Sequence, residues 1–218
     1  LVVGISGGID SSVVSTLCAN TGKKTIVLTM PIKQIKSQHD LSLSHAKWLK
    51  QKYNNVEHHL LEMDKIFTSF SQVLNKFDNE HGYANSRARL RMATLYQVAA
   101  ANSGIVVGTG NKVEDFGVGF YTKYGDGGVD ISPIADCTKT QVWELGKHLG
   151  VSEDIINTPP TDGLWDDGRN DVQQLGMSYE DLEKAMVNKN DPNYQKYLEI
   201  REKNLHKMNP IPVCKFNE

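Results

Sequence analysis

The sequence predicts an α/β protein built on a doubly wound, mostly parallel sheet with helices on both faces. Three observations carry that expectation. Short apolar runs alternate with stretches of helical period, and strands separated by helices pair in parallel through right-handed crossovers. Two of the apolar runs, 1–5 and 105–107, end in the glycine turns Ser6-Gly7-Gly8 and Gly108-Thr109-Gly110, at the strand ends where this architecture binds ligands. The chain has 218 residues, 39% apolar and 23% charged, which suits one compact domain and excludes a largely disordered chain.

The elements follow in order. Residues 1–5 read as a strand, 13–19 as a helix ended by Thr21-Gly22, and 25–30 as a second strand closed by Pro31. Residues 33–45 are rich in Ser, Gln and Lys and read as a mobile loop running into a helix at 46–52. A third strand is expected at 56–61. A helix is expected at 63–77 with Ile66, Phe70, Val73 and Leu74 on its apolar face. The clearest amphipathic helix is 85–102, with Ala88, Met92, Leu95 and Ala99 at helical spacing. Residues 105–107 form the next strand, and 123–130 are turn-like. Thr138 caps a helix reaching Leu149, with Gly150 beyond it. Pro159-Pro160 breaks the chain, 163–176 reads as a second mobile loop, and helices are expected at 179–186 and 193–205.

Charge and cysteine content exclude several functions. Lys plus Arg against Asp plus Glu is 24 against 26, a net charge of −2, whereas general nucleic-acid binders carry a basic excess. No apolar run nears the roughly 20 residues that span a bilayer. Cys18, Cys137 and Cys214 form no CxxC pair, so they suggest a reducing, cytoplasmic setting rather than a disulfide scaffold or a zinc site. Because Leu1-Val2-Val3 already reads as a strand, residues before Leu1 are expected in the full protein.

The turn Ser6-Gly7-Gly8-Ile9-Asp10-Ser11 carries the first chemical signal. Small residues let backbone N–H groups close around an anion at the start of the next helix. Asp10 in that nest would repel phosphate unless a cation intervened, so the natural reading is Mg2+ bridging Asp10 to a polyphosphate. The spacing is not GxxxxGK[ST]. The alternative reading is a tight strand–helix turn capped by Ser and Asp.

These six residues match SGGxDS, the pyrophosphate-binding loop of the ATP pyrophosphatases. Further ordered matches are Arg87-Ala88-Arg89-Leu90-Arg91-Met92, Gly108-Thr109-Gly110-Asn111-Lys112-Val113-Glu114, the run from Phe120 to Asp130, Lys139-Thr140-Gln141, Pro159-Pro160-Thr161-Asp162-Gly163-Leu164-Trp165 and Leu175-Gly176-Met177-Ser178-Tyr179. Together they resemble the ammonia-dependent NAD synthetases, over residues 1 to about 212, as a single domain spanning 1–218. The resemblance implies an adenine nucleotide alpha hydrolase-like fold and a ligase that amidates deamido-NAD with ammonia. It does so through an adenylated nicotinate, releasing AMP and pyrophosphate. It places ATP on Ser6, Gly7, Gly8, Ile9, Asp10, Ser11, Ser12, Val13, Thr109, Lys139 and Thr161. It places deamido-NAD on Arg89, Lys123, Asp130, His206 and Lys207, magnesium on Asp10 and Glu114, and catalysis on Asp10 and Lys139. A homodimer is implied, with deamido-NAD at the subunit boundary.

Lys139 opens a helix, where the dipole disfavours a cation unless an anion is near. Arg87 and Arg91, one turn apart, read as a solvated or interface face. Trp165 either stacks on a base or packs. The chain departs from the family pattern at 40–45 and at 166–175, the two segments that act as lids in the family and exclude water when closed. Two other classes remain as alternatives: a different ATP pyrophosphatase, GMP-forming or thiolating, and a non-catalytic nucleotide-binding module. None of the three cysteines is set up as a glutaminase nucleophile, so ammonia is expected to be used directly.

Overall fold

In the computed structural model, which describes residues 1–165 and 168–216, three parallel strands lie side by side. They are β1 (Val2–Gly4), β2 (Thr25–Thr29) and β3 (Val56–Leu60), in that spatial order. The register sets Val3 against Val27 and Val27 against His58. Single parallel bridges, Val2 to Val106 and Val107 to Ile131, extend the sheet beyond β1. Residues 105–107 thus sit where the sequence places a strand, but as isolated bridges, and Ile131 adds an edge contact the periodicity does not signal.

Alternation along the strands divides the core. Val3, Val27 and Val107 face the helices α1 (Ile9–Asn20), α2 (Lys36–Lys52) and α5 (Lys139–Leu149). Val2, Ile26, Leu28 and Val106 face α3 (Asp64–Val73) and α4 (Glu80–Ala101). Side chains two residues apart share a face of a strand, so neighbours feed opposite layers. Helices therefore cover both faces, as expected. A third cluster lies beside the sheet. It joins a π-helical turn at Lys112–Val118 to α7 (Asp171–Leu175), α8 (Tyr179–Val187) and α9 (Tyr194–Met208); the short α6 (Glu153–Ile156) follows α5.

Several local expectations are corrected. The 33–45 segment is not a loop throughout: α2 starts at Lys36, ten residues before the expected helix, and Ser42 and His45 are buried. His45 Nε2 lies 3.0 Å from Ser15 Oγ on α1, and its ring stacks on Trp48 at 5.4 Å; these contacts explain a helix that surface polarity hides. The helix at 63–77 stops at Val73, and a 3-10 turn covers Asn75–Phe77. Its buried residue is Phe67, while Ile66 and Val73 are exposed, so the expected face is rotated. The 163–176 segment is interrupted by α7, which Asn170 caps from its side chain. Asp166 and Asp167 of that segment lie outside the described residues. By contrast, Ala88, Met92, Leu95 and Ala99 are all buried on α4. Thr138 and Gln141 form a capping box on α5, which ends at Gly150 with φ +81°. Among the described residues no helix is long and apolar enough to cross a membrane.

Candidate active site

A cavity of about 240 Å³ opens at the carboxyl ends of β1 and the 105–107 segment. Ser6, Gly7, Gly8, Ile9, Asp10, Ser11, Thr109, Glu114, Lys139 and Thr161 all line it. Ser12 and Val13 do not; they are buried in the next turn of α1, with Ser12 Oγ donating to the Gly8 carbonyl at 2.9 Å. The turn before α1 depends on Gly7. Its φ is +90°, and a Cβ there would stand 2.4 Å from the Gln38 carbonyl oxygen on α2. Ser11 Oγ also donates to the Gly8 carbonyl, and the Ser6 hydroxyl accepts from the Gly8 N–H. These bonds brace the turn. The first N–H groups of a helix have no partner within it, and Ile9, Asp10 and Ser11, which open α1, all line the cavity.

Behind the turn, Lys139 is 2% exposed and donates to Asp10 Oδ2 at 2.5 Å and to Glu114 Oε1 at 2.8 Å. Three elements meet there: α1 brings Asp10, the π-helical turn brings Glu114, and the first turn of α5 brings Lys139. Asn111 locks the junction. Its side-chain N–H donates to Asp10 Oδ1 at 2.9 Å, while its Oδ1 accepts from the Val113 and Glu114 N–H groups, capping the π-helical turn. The Lys139 ammonium also lies 4.8 Å from the centre of the Tyr179 ring.

One lysine cannot neutralise two buried carboxylates, and the titration of the trio reflects this. Burial works against the Lys139 charge, but Asp10 and Glu114 outweigh it and hold the ammonium protonated. Burial also works against ionised Glu114, and there Lys139 and the Tyr179 hydrogen bond win, leaving it below its ordinary value. Asp10 ends above its ordinary value, because burial and the neighbouring Glu114 exceed the help from Lys139. Around them the cavity stays acidic. Burial, then Glu114, pushes Asp115 up to about 8 and Asp171 up to about 7, and burial pushes Asp126 up to about 6.

Asp10, Glu114 and Lys139 together carry a buried net charge of −1 when both acids are ionised. Their free chemistry is hard carboxylate oxygen. That donor set fits a magnesium ion held by one or two carboxylates and completed by substrate phosphates and water. It does not make a self-sufficient cage: among the described residues no group of three or more His, Cys, Asp or Glu could hold a metal ion by itself.

The residues expected to hold deamido-NAD gather elsewhere. Lys123 Nζ donates to the His206 carbonyl at 2.7 Å, Lys207 Nζ to the carbonyls of Gly119 and Tyr121, and Arg89 Nε to the Lys123 carbonyl. This pins the end of α9 to the 119–124 segment. Asp130 is spent on the sheet edge, where it accepts from the Val106 N–H and the Tyr96 hydroxyl. None of these five lines the cavity. Thr161 does, while its hydroxyl donates to the Arg169 carbonyl and accepts from Gly163 N–H.

Arg87 and Arg91 are corrected: neither forms a solvated face. Arg87 is buried and donates to the Leu164 carbonyl, and Arg91 lines the cavity and donates to the Met30 carbonyl. Trp165 packs: its ring lies 6.0 Å from that of His81 on α4, and its indole N–H donates to Gln174 at 2.8 Å and to Asp162 at 3.3 Å. Asn111, Asp171 and Tyr179 were not singled out by sequence. Asn111 and Tyr179 stand inside quoted motifs, next to the glycine turn and at the head of α8, and that position was their only signal.

Comparison with known proteins identifies the family. The NAD synthase family model matches residues 1–213. The NH(3)-dependent NAD(+) synthetase of Saccharolobus solfataricus is 39% identical over 218 residues, covering 97% of this chain and 72% of that protein. That of Alkaliphilus metalliredigens is 39% identical over 212 residues, covering 93% and 83%. Among solved structures, the NMN synthetase from Francisella tularensis superposes with a TM-score of 0.90 at 31% identity, covering 99% of this chain and 89% of that one. The NH3-dependent NAD synthetase from Campylobacter jejuni gives 0.76 at 27% identity, covering 98% and 88%.

Proposed function

Because this chain belongs to the NAD synthase family, we propose that its cavity carries out the ATP-dependent amidation of deamido-NAD to NAD with ammonia. The observation that carries the reading is the Asp10–Lys139–Glu114 trio, set at the end of a glycine turn that opens a helix. The nicotinate carboxylate attacks the α-phosphorus of ATP, a P–O bond forms, and the bond to pyrophosphate breaks. Ammonia then attacks the acyl carbon, AMP leaves, and the amide loses a proton. Both steps gather negative charge on phosphate oxygens, so the site's task is charge stabilisation. The N–H groups at the start of α1 bind the phosphates, and Lys139, held protonated, supplies a fixed positive charge beside them. Magnesium bound by Asp10 and Glu114 would neutralise charge on the leaving pyrophosphate. Thr109 and Thr161 line the cavity and are assigned to the nucleotide on the family resemblance.

Arg89, Lys123, Asp130, His206 and Lys207 are assigned to deamido-NAD on the family resemblance. A homodimer working in the cytoplasm is part of the same reading. A second reading has a specific observation in its favour: the likeness to an NMN synthetase, together with those five residues lying outside the cavity and Asp130 and Lys207 already bonded to main chain. It shortens the acceptor to nicotinate mononucleotide, with the same chemistry at the carboxylate.

The deciding experiment measures pyrophosphate release from ATP with each acceptor, using an ammonium salt or glutamine freed of ammonia as nitrogen source. Release that depends on deamido-NAD and ammonium supports the first reading. A higher kcat/KM for the mononucleotide supports the second. Release that needs neither acceptor overturns both.

A further inference from the structure

A buried tyrosine connects the loop helix α7 to the candidate metal ligand. The Tyr179 hydroxyl lies 2.5 Å from Glu114 Oε1 and 2.6 Å from Asp171 Oδ2; Tyr179 and Asp171 are both buried. A phenol has one hydrogen and can donate once, so two contacts of that length to carboxyl oxygens need a second hydrogen, carried by one of the acids. Glu114 Oε1 already accepts from the Lys139 ammonium, as an ionised carboxylate does. Among the described residues no cation is bonded to Asp171, and its Oδ1 is buried without a hydrogen-bond partner. A neutral acid tolerates that environment far better than an anion does. The hydrogens therefore run in one direction: Asp171 donates to Tyr179, and Tyr179 donates to Glu114.

We propose that Asp171 and Tyr179 are positioning residues that fix the Glu114 carboxylate through Oε1 and leave Oε2 as the oxygen a metal ion takes. This rests on the reading that Asp10 and Glu114 hold magnesium. Two donors on one oxygen, Lys139 and Tyr179, set both the rotation and the tilt of the carboxylate. The relay also reaches the cavity wall. Asp171 N–H donates to the Pro160 carbonyl at 3.0 Å, so the far end of the loop carrying Thr161 is fastened to the same carboxylate. The Tyr179 ring has a separate packing role, edge-on to Trp143 at 6.0 Å in the third core cluster. Phenylalanine keeps that packing and removes only the hydroxyl.

The test uses the full chain and reads Mn2+ binding by electron paramagnetic resonance, in the presence of an ATP analogue that cannot be cleaved. Tyr179→Phe should weaken Mn2+ binding by about 10- to 100-fold, the usual cost of losing a partner behind a metal ligand. Asp171→Asn should stay near wild type, because its amide donates to Tyr179 as the acid does. Asp171→Ala should fall with Tyr179→Phe. In steady state the loss should appear as a raised magnesium requirement more than as a lower kcat at saturating metal. Wild-type Mn2+ affinity in Tyr179→Phe, with or without a lower melting temperature, would confine the residue to packing and overturn the proposal. Asp171→Asn as weak as Asp171→Ala would show that a donor at this position does not complete the relay, and would overturn its direction. A wild-type protein that takes up no Mn2+ beside the analogue refutes the metal reading itself, and the proposal with it.

Discussion

Acid should undo the support beneath the phosphate turn, and His45 sets the range in which it does so. The imidazole is 3% exposed, bonded to Ser15 and stacked on Trp48. Burial lowers its pKa from 6.5 to about 4, against a small opposing effect from the Ser12 backbone. In the unfolded chain the ring takes up a proton near 6.5, while the folded protein resists protonation until about 4. Between those values the unfolded state binds more protons, so stability falls as pH falls. The full stability is present above 6.5, and the loss is complete below 4. A difference of about 2.5 pH units at 1.36 kcal/mol each amounts to roughly 3 kcal/mol. Asp115, Asp126 and Asp171 have raised values and act in the opposite sense, losing stability as pH rises. A single pH–stability curve therefore mixes the two. The measurement is urea unfolding from pH 4 to 8 for wild type and His45→Gln, compared as a difference. Glutamine can still bond to Ser15 but does not titrate, so the variant should be less stable at pH 8 and lose less on acidification. The gap between the curves should close by about 3 kcal/mol from pH 6.5 to 4. Parallel curves would refute the assignment. Because the folded protein keeps His45 neutral down to about pH 4, nucleotide-analogue affinity of the native state should hold across this range even as stability falls.

Two further outcomes follow from the trio. Asp10→Asn leaves one buried carboxylate facing one lysine, so the protein should melt no lower than wild type while pyrophosphate release stops; near-native turnover at limiting magnesium would contradict the metal-ligand role. Lys139→Ala strands two buried carboxylates and should cost about 3–5 kcal/mol of stability by urea titration, and should slow adenylate formation in rapid-quench assays by about 10²–10³-fold; an unchanged kcat would contradict the role given to the lysine.

The parts of this molecule legible in the sequence are those where local rules and tertiary demands coincide. Ala88, Met92, Leu95 and Ala99 keep helical spacing and are all buried, the last three against the sheet and Ala88 at the cavity wall. Thr138 and Gly150 mark α5 at both ends because capping is a short-range interaction. The start of α2 was hidden because its anchoring contacts, His45 to Ser15 and Gly7 against Gln38, reach another element. The α3 face was misread because one aromatic, Phe67, is enough to dock so short a helix, whichever neighbours look apolar. At the site, the glycine turn and its acid were visible as a motif. The geometry that gives them meaning was not, since Asp10, Glu114 and Lys139 come from three segments up to 129 positions apart. Arg91 reads in sequence as part of a solvated or interface face, and Asp171 gives no signal, because nothing local shows that a cavity encloses a charged side chain.

The π-helical turn at Lys112–Val118 makes chain length a determinant of chemistry. Its wider coil lets the Glu114 carbonyl accept from both Gly119 and Phe120 N–H, while Asn111 holds the opening end. An ordinary helical turn advances about 100° per residue, and a π turn accommodates one residue more per loop of backbone. Removing a single residue between Glu114 and Gly119 would restore the ordinary pitch, but only by turning one end against its anchor. Either Gly119 and the Tyr121 contact to α9 would rotate away, or Glu114 would leave Lys139. A deletion there could keep every motif letter intact and still dismantle the site, so insertions and deletions in this stretch are more informative than substitutions about what the enzyme can tolerate.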